Sequence, residues 1–135
     1  MNLTRIQEAF VAKIESLQLG IPIVTPNNLP LSESNEYIEI IATETGRVRI
    51  QQDLEQWLGA VDCKINRPVS TGMKKLNHYA ERITELFSVQ SCLTTGNGVT
   101  LTVTDARQFP PYNSSKTTCA VNCRISFETF LPVRR

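Results

Sequence analysis

The residues with the most chemical potential in this chain are one histidine, four cysteines and a short acidic cluster, and their spacing decides what each can do. His78 stands beside Lys74, Lys75 and Arg82 on the polar side of an amphipathic repeat, a solvated position. A serine or cysteine triad would need that imidazole as its base, so none is expected. Asp53, Glu55 and Asp62 come nearest to a general acid/base pair or a magnesium site. Asp62 falls on the polar side of a strand pattern with no ligand motif beside it, and the cluster reads as solvated charge. A small metal-dependent hydrolase acting through Asp53 and Asp62 is the alternative from a different class, and it requires those carboxylates to converge in a cleft.

Cys63, Cys92, Cys119 and Cys123 are bridges, ligands or buried thiols. Three of them fall on the apolar parity of strand patterns. Cys119 and Cys123 are four residues apart on one strand, about 13 Å at ~3.3 Å per residue, too far to bond to each other or to share a metal within that strand. Cysteine is among the most buried residue types, so inert buried thiols are expected. Thr95-Gly96-Asn97-Gly98 has glycines but neither the lysine nor the following helix of a phosphate loop, and reads as a turn. No catalytic, cofactor-binding or metal-binding residue is expected.

The elements that must carry these residues centre on residues 54–87. From Trp57 to Ile65, positions 57, 61, 63 and 65 are apolar while Asp62 and Lys64 point the other way, the period of a half-buried strand. Arg67-Pro68-Val69-Ser70-Thr71-Gly72 should end it. Met73, Leu76, Tyr79, Ala80, Ile83, Leu86 and Phe87 then recur at steps of three and four, one face of a helix whose nearest support is the apolar side of the preceding strand.

In chain order, Leu3, Ile6, Phe10, Ile14 and Leu17 form the stripe of a first helix, with a capping box at Thr4-Arg5-Ile6-Gln7 and Gly20 as its stop. Pro22, Pro26 and Pro30 exclude a helix from residues 21–36 and leave a short edge strand near residues 21–24. Residues 37–44 are rich in β-formers with 38, 40 and 42 apolar, a strand well inside the sheet. A hinge is expected at Thr45-Gly46, followed by a polar hairpin arm projecting over about residues 45–55. After the second helix come a short strand at residues 89–93, a turn at residues 94–98 and a strand through Val99, Leu101 and Val103. Residues 105–116 read as a loop in which Phe109 and Tyr112 fold back on the core or meet a partner. The longest strand, residues 117–131, places Cys119, Val121, Cys123, Ile125 and Phe127 on one side, and a basic tail of Arg134 and Arg135 follows. This order predicts an α+β domain spanning residues 1–135, a mostly antiparallel sheet with two amphipathic helices packed on one face.

The composition narrows the partners. A chain of 135 residues, 41% hydrophobic, is the size of one domain with one core. With 14 basic and 13 acidic residues it carries no field that would gather nucleic acid or an anionic membrane. The longest apolar runs fall far short of the roughly 18 residues that cross a bilayer, and Arg5 and Glu8 interrupt any leader core, so a cytosolic protein is expected.

Phe10, the Pro26-Asn27 connection, the Tyr37 strand, Gly72, Ala80, Ile83 and Phe87 along the second helix, Gly98-Val99 and the final strand with Phe127 resemble, in order and spacing, the tail terminator and tail completion proteins of long-tailed bacteriophages, the lambda type among them. The strand before the second helix departs from that pattern by ending on Asn66-Arg67-Pro68. The resemblance implies a non-enzymatic virion protein at the head-proximal end of the tail, made in the host cytoplasm. It implies a ring, usually a homohexamer, that caps the tail tube protein, stops its polymerisation and presents its other face to the head–tail connector protein, while DNA passes through the lumen without sequence-specific binding. A head-completion or connector ring is the nearest alternative. In either, interfaces do the work. The interface candidates are Arg47, Arg49, Asp53 and Glu55 of the arm, ordered on assembly, with Phe109 and Tyr112 of the loop.

Overall fold

The computed structural model describes residues 2–25, 36–68, 73–96 and 98–132, with the side chain of Met73 left aside. The Pro26-Asn27 connection, the Val69–Gly72 punctuation, Asn97, the Met73 side chain and the Arg134-Arg135 tail therefore lie outside the described residues. The elements run α1 (Leu3–Glu15), β1 (Ile23–Val24), β2 (Tyr37–Gln51), β3 (Leu54–Pro68), α2 (Met73–Leu86), β4 (Cys92–Thr94), β5 (Thr100–Gln108), β6 (Tyr112–Asn113) and β7 (Thr118–Pro132). One seven-stranded sheet has the order β1-β2-β3-β7-β5-β4, with β6 beside β7. The fold is α+β as expected, but the sheet is mixed, because β1 runs parallel to β2 while every other pair is antiparallel.

One parity of each long strand builds the core. Ile38, Ile40 and Ala42 of β2 stand in register with Ile65, Cys63 and Val61 of β3, which in turn oppose Val121, Cys123 and Ile125 of β7. All nine are buried in one cluster with Ile6, Phe10 and Ile14 of α1 and with Leu76, Ala80, Ile83 and Phe87 from α2 and its end. Both helices thus cover the same sheet face. Phe10 joins them, its ring 4.9 Å from that of Phe87 and 6.0 Å from that of Phe127. Contrary to expectation α2 lies chiefly over β7, with β3 and β5 to its sides, because β7 is inserted at the middle of the sheet.

Local chemistry moves several boundaries. Asn2 caps α1 by accepting from the Arg5 N–H at 3.2 Å. The expected capping box is not used, since Gln7 reaches across to accept the Ala42 N–H at 2.9 Å. The helix stops at Glu15, before Gly20, as Gln18 turns to a φ of 52°. Residues 105–108 are strand rather than loop: β5 continues past an irregularity between Val103 and Asp105 and keeps its pairing to β7. Val89 lies outside β4 and is exposed. The β4–β5 turn is closed by Thr95, whose N–H donates to the Val99 carbonyl at 2.8 Å while its hydroxyl accepts from the Val99 N–H at 3.2 Å.

Strand β3 does not stop at Arg67. It runs on through Pro68, whose partner is Thr118 at the start of β7. Arg67 is only 5% exposed, paired to Glu36 at 3.5 Å and facing the Tyr79 ring at 5.3 Å.

Candidate functional site

The expected hinge at Thr45-Gly46 is absent: β2 continues to Gln51 and turns through Gln52 and Asp53 directly into β3. Nor is the arm a lone hairpin. The end of β7 pairs with β3 to its first residue, Pro132 opposite Leu54, so the projection is a three-stranded ribbon of β2, β3 and β7. Two register shifts interrupt β2, between Glu44 and Gly46 and between Arg49 and Gln51.

The first shift decides which way every later side chain of β2 points, because a slip of one residue exchanges the two faces of a strand. Arg47 stands opposite Trp57, itself opposite Thr129, and Arg49 opposite Glu55, itself opposite Leu131, on the face that continues the core. Val48 stands opposite Gln56, and Gln56 opposite Phe130, on the other face. Gln56 Nε2 donates to Glu128 Oε2 at 2.8 Å within that second face. On the first, the Arg47 guanidinium lies 3.6 Å from the Trp57 ring centroid. It also pairs with Glu44 at 3.4 Å and Glu55 at 4.0 Å, and Arg49 pairs with Glu55 at 3.6 Å.

Of the four arm residues singled out from sequence, Arg47, Arg49 and Glu55 are brought together as ion pairs, and Asp53 stands apart at the exposed turn. Arg47 and Arg49 keep 48% and 59% of their side chains exposed, and beside them the arm presents apolar groups. Val48, Ile50 and Phe130 are 47%, 48% and 51% exposed, among the largest exposures of bulky apolar side chains in the described residues. Phe130, not among the sequence candidates, still carries a signal there: it is an aromatic on the parity of the polar Asn122, Arg124, Ser126 and Glu128.

Phe109 and Tyr112 lie at the opposite end of the open face, neither folded into the core. They rim a depression of about 450 Å³ whose floor includes Ile41 and the charged Glu39, Asp62, Lys64 and Arg124. Arg124 clasps Asp62 with both ends of its fork, Nε to Oδ1 at 2.9 Å and Nη2 to Oδ2 at 3.2 Å, which pushes the arginine pKa up. Asp53 and Asp62 do not converge. The stretch of β3 from Leu54 to Asp62 separates them by roughly 26 Å at ~3.3 Å per residue, and Asp62 is engaged by Arg124. Among the described residues no group of three or more His, Cys, Asp and Glu side chains is placed to hold a metal ion. His78 is exposed on α2.

All four cysteines are free thiols, with Cys63, Cys119 and Cys123 buried and Cys92 exposed. Cys63 and Cys123 are direct cross-strand partners, which linear spacing does not reveal. Burial raises the Cys123 pKa to about 12; burial, then Cys123, then Asp62 push that of Cys63 higher still. These thiols are chemically quiet in the folded protein. No described helix is long and apolar enough to cross a membrane.

No family model and no curated protein matches the chain. Several solved structures share its fold, among them two that cover almost the whole chain. One, described only by a sequence identifier, superposes with a TM-score of 0.72 at 16% identity over 96% of both chains. The other is a chain from the virion of a native gene transfer agent particle, with a TM-score of 0.63 at 9% identity over 94% of both chains. At these identities the likeness shows a common fold, and it extends over almost the whole chain.

Proposed function

We propose that the protein is a structural subunit of a phage-like virion, and that it works as the family resemblance implies: copies form a ring that caps the tail tube, ends its polymerisation and offers the opposite surface to the head. The observation that carries this is the match, over 94% of both chains, to a chain of a gene transfer agent virion. The order of elements that suggested tail terminators supports it independently.

A capping ring needs a surface for its neighbours, a surface for the last ring of tube subunits and an open lumen for DNA. Two exposed apolar regions meet the first two needs, Val48, Ile50 and Phe130 on the arm and Phe109 and Tyr112 at the far end of the open sheet face. We assign the arm to the neighbour and the aromatic rim to the tube or connector. Arg47 and Arg49 serve within the arm, holding Glu55 and covering Trp57.

Sedimentation and negative-stain electron microscopy of the purified chain test the proposal. Rings with a central hole that bind the ends of tail tubes are the expected result. Rings that bind portal complexes and ignore tubes would move the protein to a head-completion role, and a chain that stays monomeric at every concentration, alone and with tubes, would remove the ring altogether.

A further inference from the structure

The arm has two strand edges without ladder partners among the described residues, one on each side. On one side, β1 pairs β2 only at Ile38 and Glu39, leaving the arm portion of β2 open. Its regular stretch is Gly46–Arg49, four residues between the two register shifts. On the other side, the backbone pairing of β5 to β7 ends at Thr102 and Glu128. Buried Thr129 is still tied to β5 by its hydroxyl, which donates to the Thr100 carbonyl at 2.7 Å, and β7 continues through Phe130, Leu131 and Pro132 beside β3 alone. Around that single bridge lies a depression of about 420 Å³ between Val99, Thr100 and Thr102 on one wall and Thr129, Phe130 and Leu131 on the other.

An open edge is a template for another strand, and soluble proteins usually blunt or cover it. Here each edge carries an exposed apolar residue on the same face of the ribbon, Val48 on β2 and Phe130 on β7. The charges of the β2 edge, Arg47 and Arg49, point to the other face and already have partners. The open stretches, Gly46–Arg49 on β2 and Phe130–Pro132 on β7, match in direction, since β2 and β7 both run antiparallel to β3.

We infer that the Gly46–Arg49 edge of one copy docks, parallel, on the Phe130–Pro132 edge of the next, joining the arms of successive copies into one continuous sheet. This deepens the ring proposal and rests on it. The occupant is a second copy because the two edges complement one another on a single chain: side by side they bring Val48 against Phe130 and remove both from water. The contact is head-to-tail, since a residue on one edge never meets itself, and such contacts close into rings when the rotation between copies permits. The register shifts that flank Gly46–Arg49 confine the pairing to a short window and so limit edge-to-edge association in any other register.

Cross-linking tests this directly. Within one chain Val48 and Phe130 are separated by β3, two strand spacings or roughly 10 Å, beyond the reach of a disulfide. In a Cys92→Ser background, which removes the exposed native thiol, the double variant Val48→Cys with Phe130→Cys should form covalent oligomers up to the full ring under mild oxidant, and each single variant should not. Phe130→Asp and Val48→Asp, exposed positions whose folding is checked by circular dichroism, should each abolish the oligomer peak in sedimentation. Wild-type rings whose arms fail to cross-link, and which survive both aspartate substitutions, would overturn the edge pairing and leave the ring standing. A wild-type chain that never assembles would overturn both together.

Discussion

Replacing Gly59 by alanine should destabilise the fold, and the size of the effect can be worked from two opposing terms. Gly59 is the β3 residue where the core ends and the arm begins, directly opposite Phe127. A Cβ built there would lie 2.4 Å from Phe127 Cζ and 2.8 Å from the Thr43 carbonyl oxygen, against the ~3.5–4.0 Å at which carbon contacts are comfortable. The ring cannot simply retreat, because it stands 6.0 Å from Phe10, which is itself 4.9 Å from Phe87; Thr43 presents backbone. Overpacking of this kind costs about 1–3 kcal/mol. The opposing term is the lower chain entropy of unfolded alanine, worth ~0.4–1 kcal/mol where the native conformation accepts a side chain. The clash wins, and a net loss of about 1–2 kcal/mol should lower Tm by roughly 4–8 °C in a chain of this size. Gly46→Ala is the matched control. Its Cβ would meet Leu58 Cδ1 at 3.6 Å, ordinary contact, so that variant should melt at or slightly above wild type. Adding Phe127→Leu to Gly59→Ala should recover part of the loss, a non-additivity of ~0.5–3 kcal/mol between touching residues. Thermal and urea melts of these three variants, and of Phe127→Leu alone, decide it. Gly59→Ala melting as high as Gly46→Ala would refute the packing described for the base of the arm.

Three further outcomes follow from the same core and surface. Phe87→Ala should cost ~3–5 kcal/mol by opening a cavity beside Phe10, and an unchanged melt would mean that α2 does not anchor on the sheet through that ring. Because Cys63 and Cys123 titrate above their unfolded value of 9.0, the stability they hold as neutral thiols is intact below pH 9 and falls as pH rises toward 12, by at most about 1.4 kcal/mol per pH unit for each. Urea midpoints from pH 8 to 10.5 should therefore decline more steeply in wild type than in Cys63→Ala with Cys123→Ala, and equal slopes would refute the assignment. A bulky thiol reagent at pH 8 should modify Cys92 alone in the native protein; rapid labelling of two or more thiols would show that the cysteine-lined layer opens.

Much of the core was legible because its periods are local. Val61-Cys63-Ile65 and Val121-Cys123-Ile125 alternate with polar residues, Ile38-Ile40-Ala42 keeps one side of a β-former-rich strand apolar, and Leu76-Ala80-Ile83-Phe87 repeats every three or four, so physical chemistry along a few residues of chain places them. The same alternation announced an open, charged sheet face through Asp62, Lys64, Asn122 and Arg124. Tertiary structure decided what depends on partners distant in sequence. The parallel pairing of β1, the insertion of β7 between β3 and β5, and the cross-strand meeting of Cys63 with Cys123 have no local signature. The arm shows the distinction most sharply. Sequence marked residues 45–55 as unlike the core, but one register shift between Glu44 and Gly46 determines that the arginines turn toward Trp57 and Glu55 and that Val48 joins Phe130 on the open face. A shift of that kind arises from the fit of two strands to one another, so it appears only once both are in place.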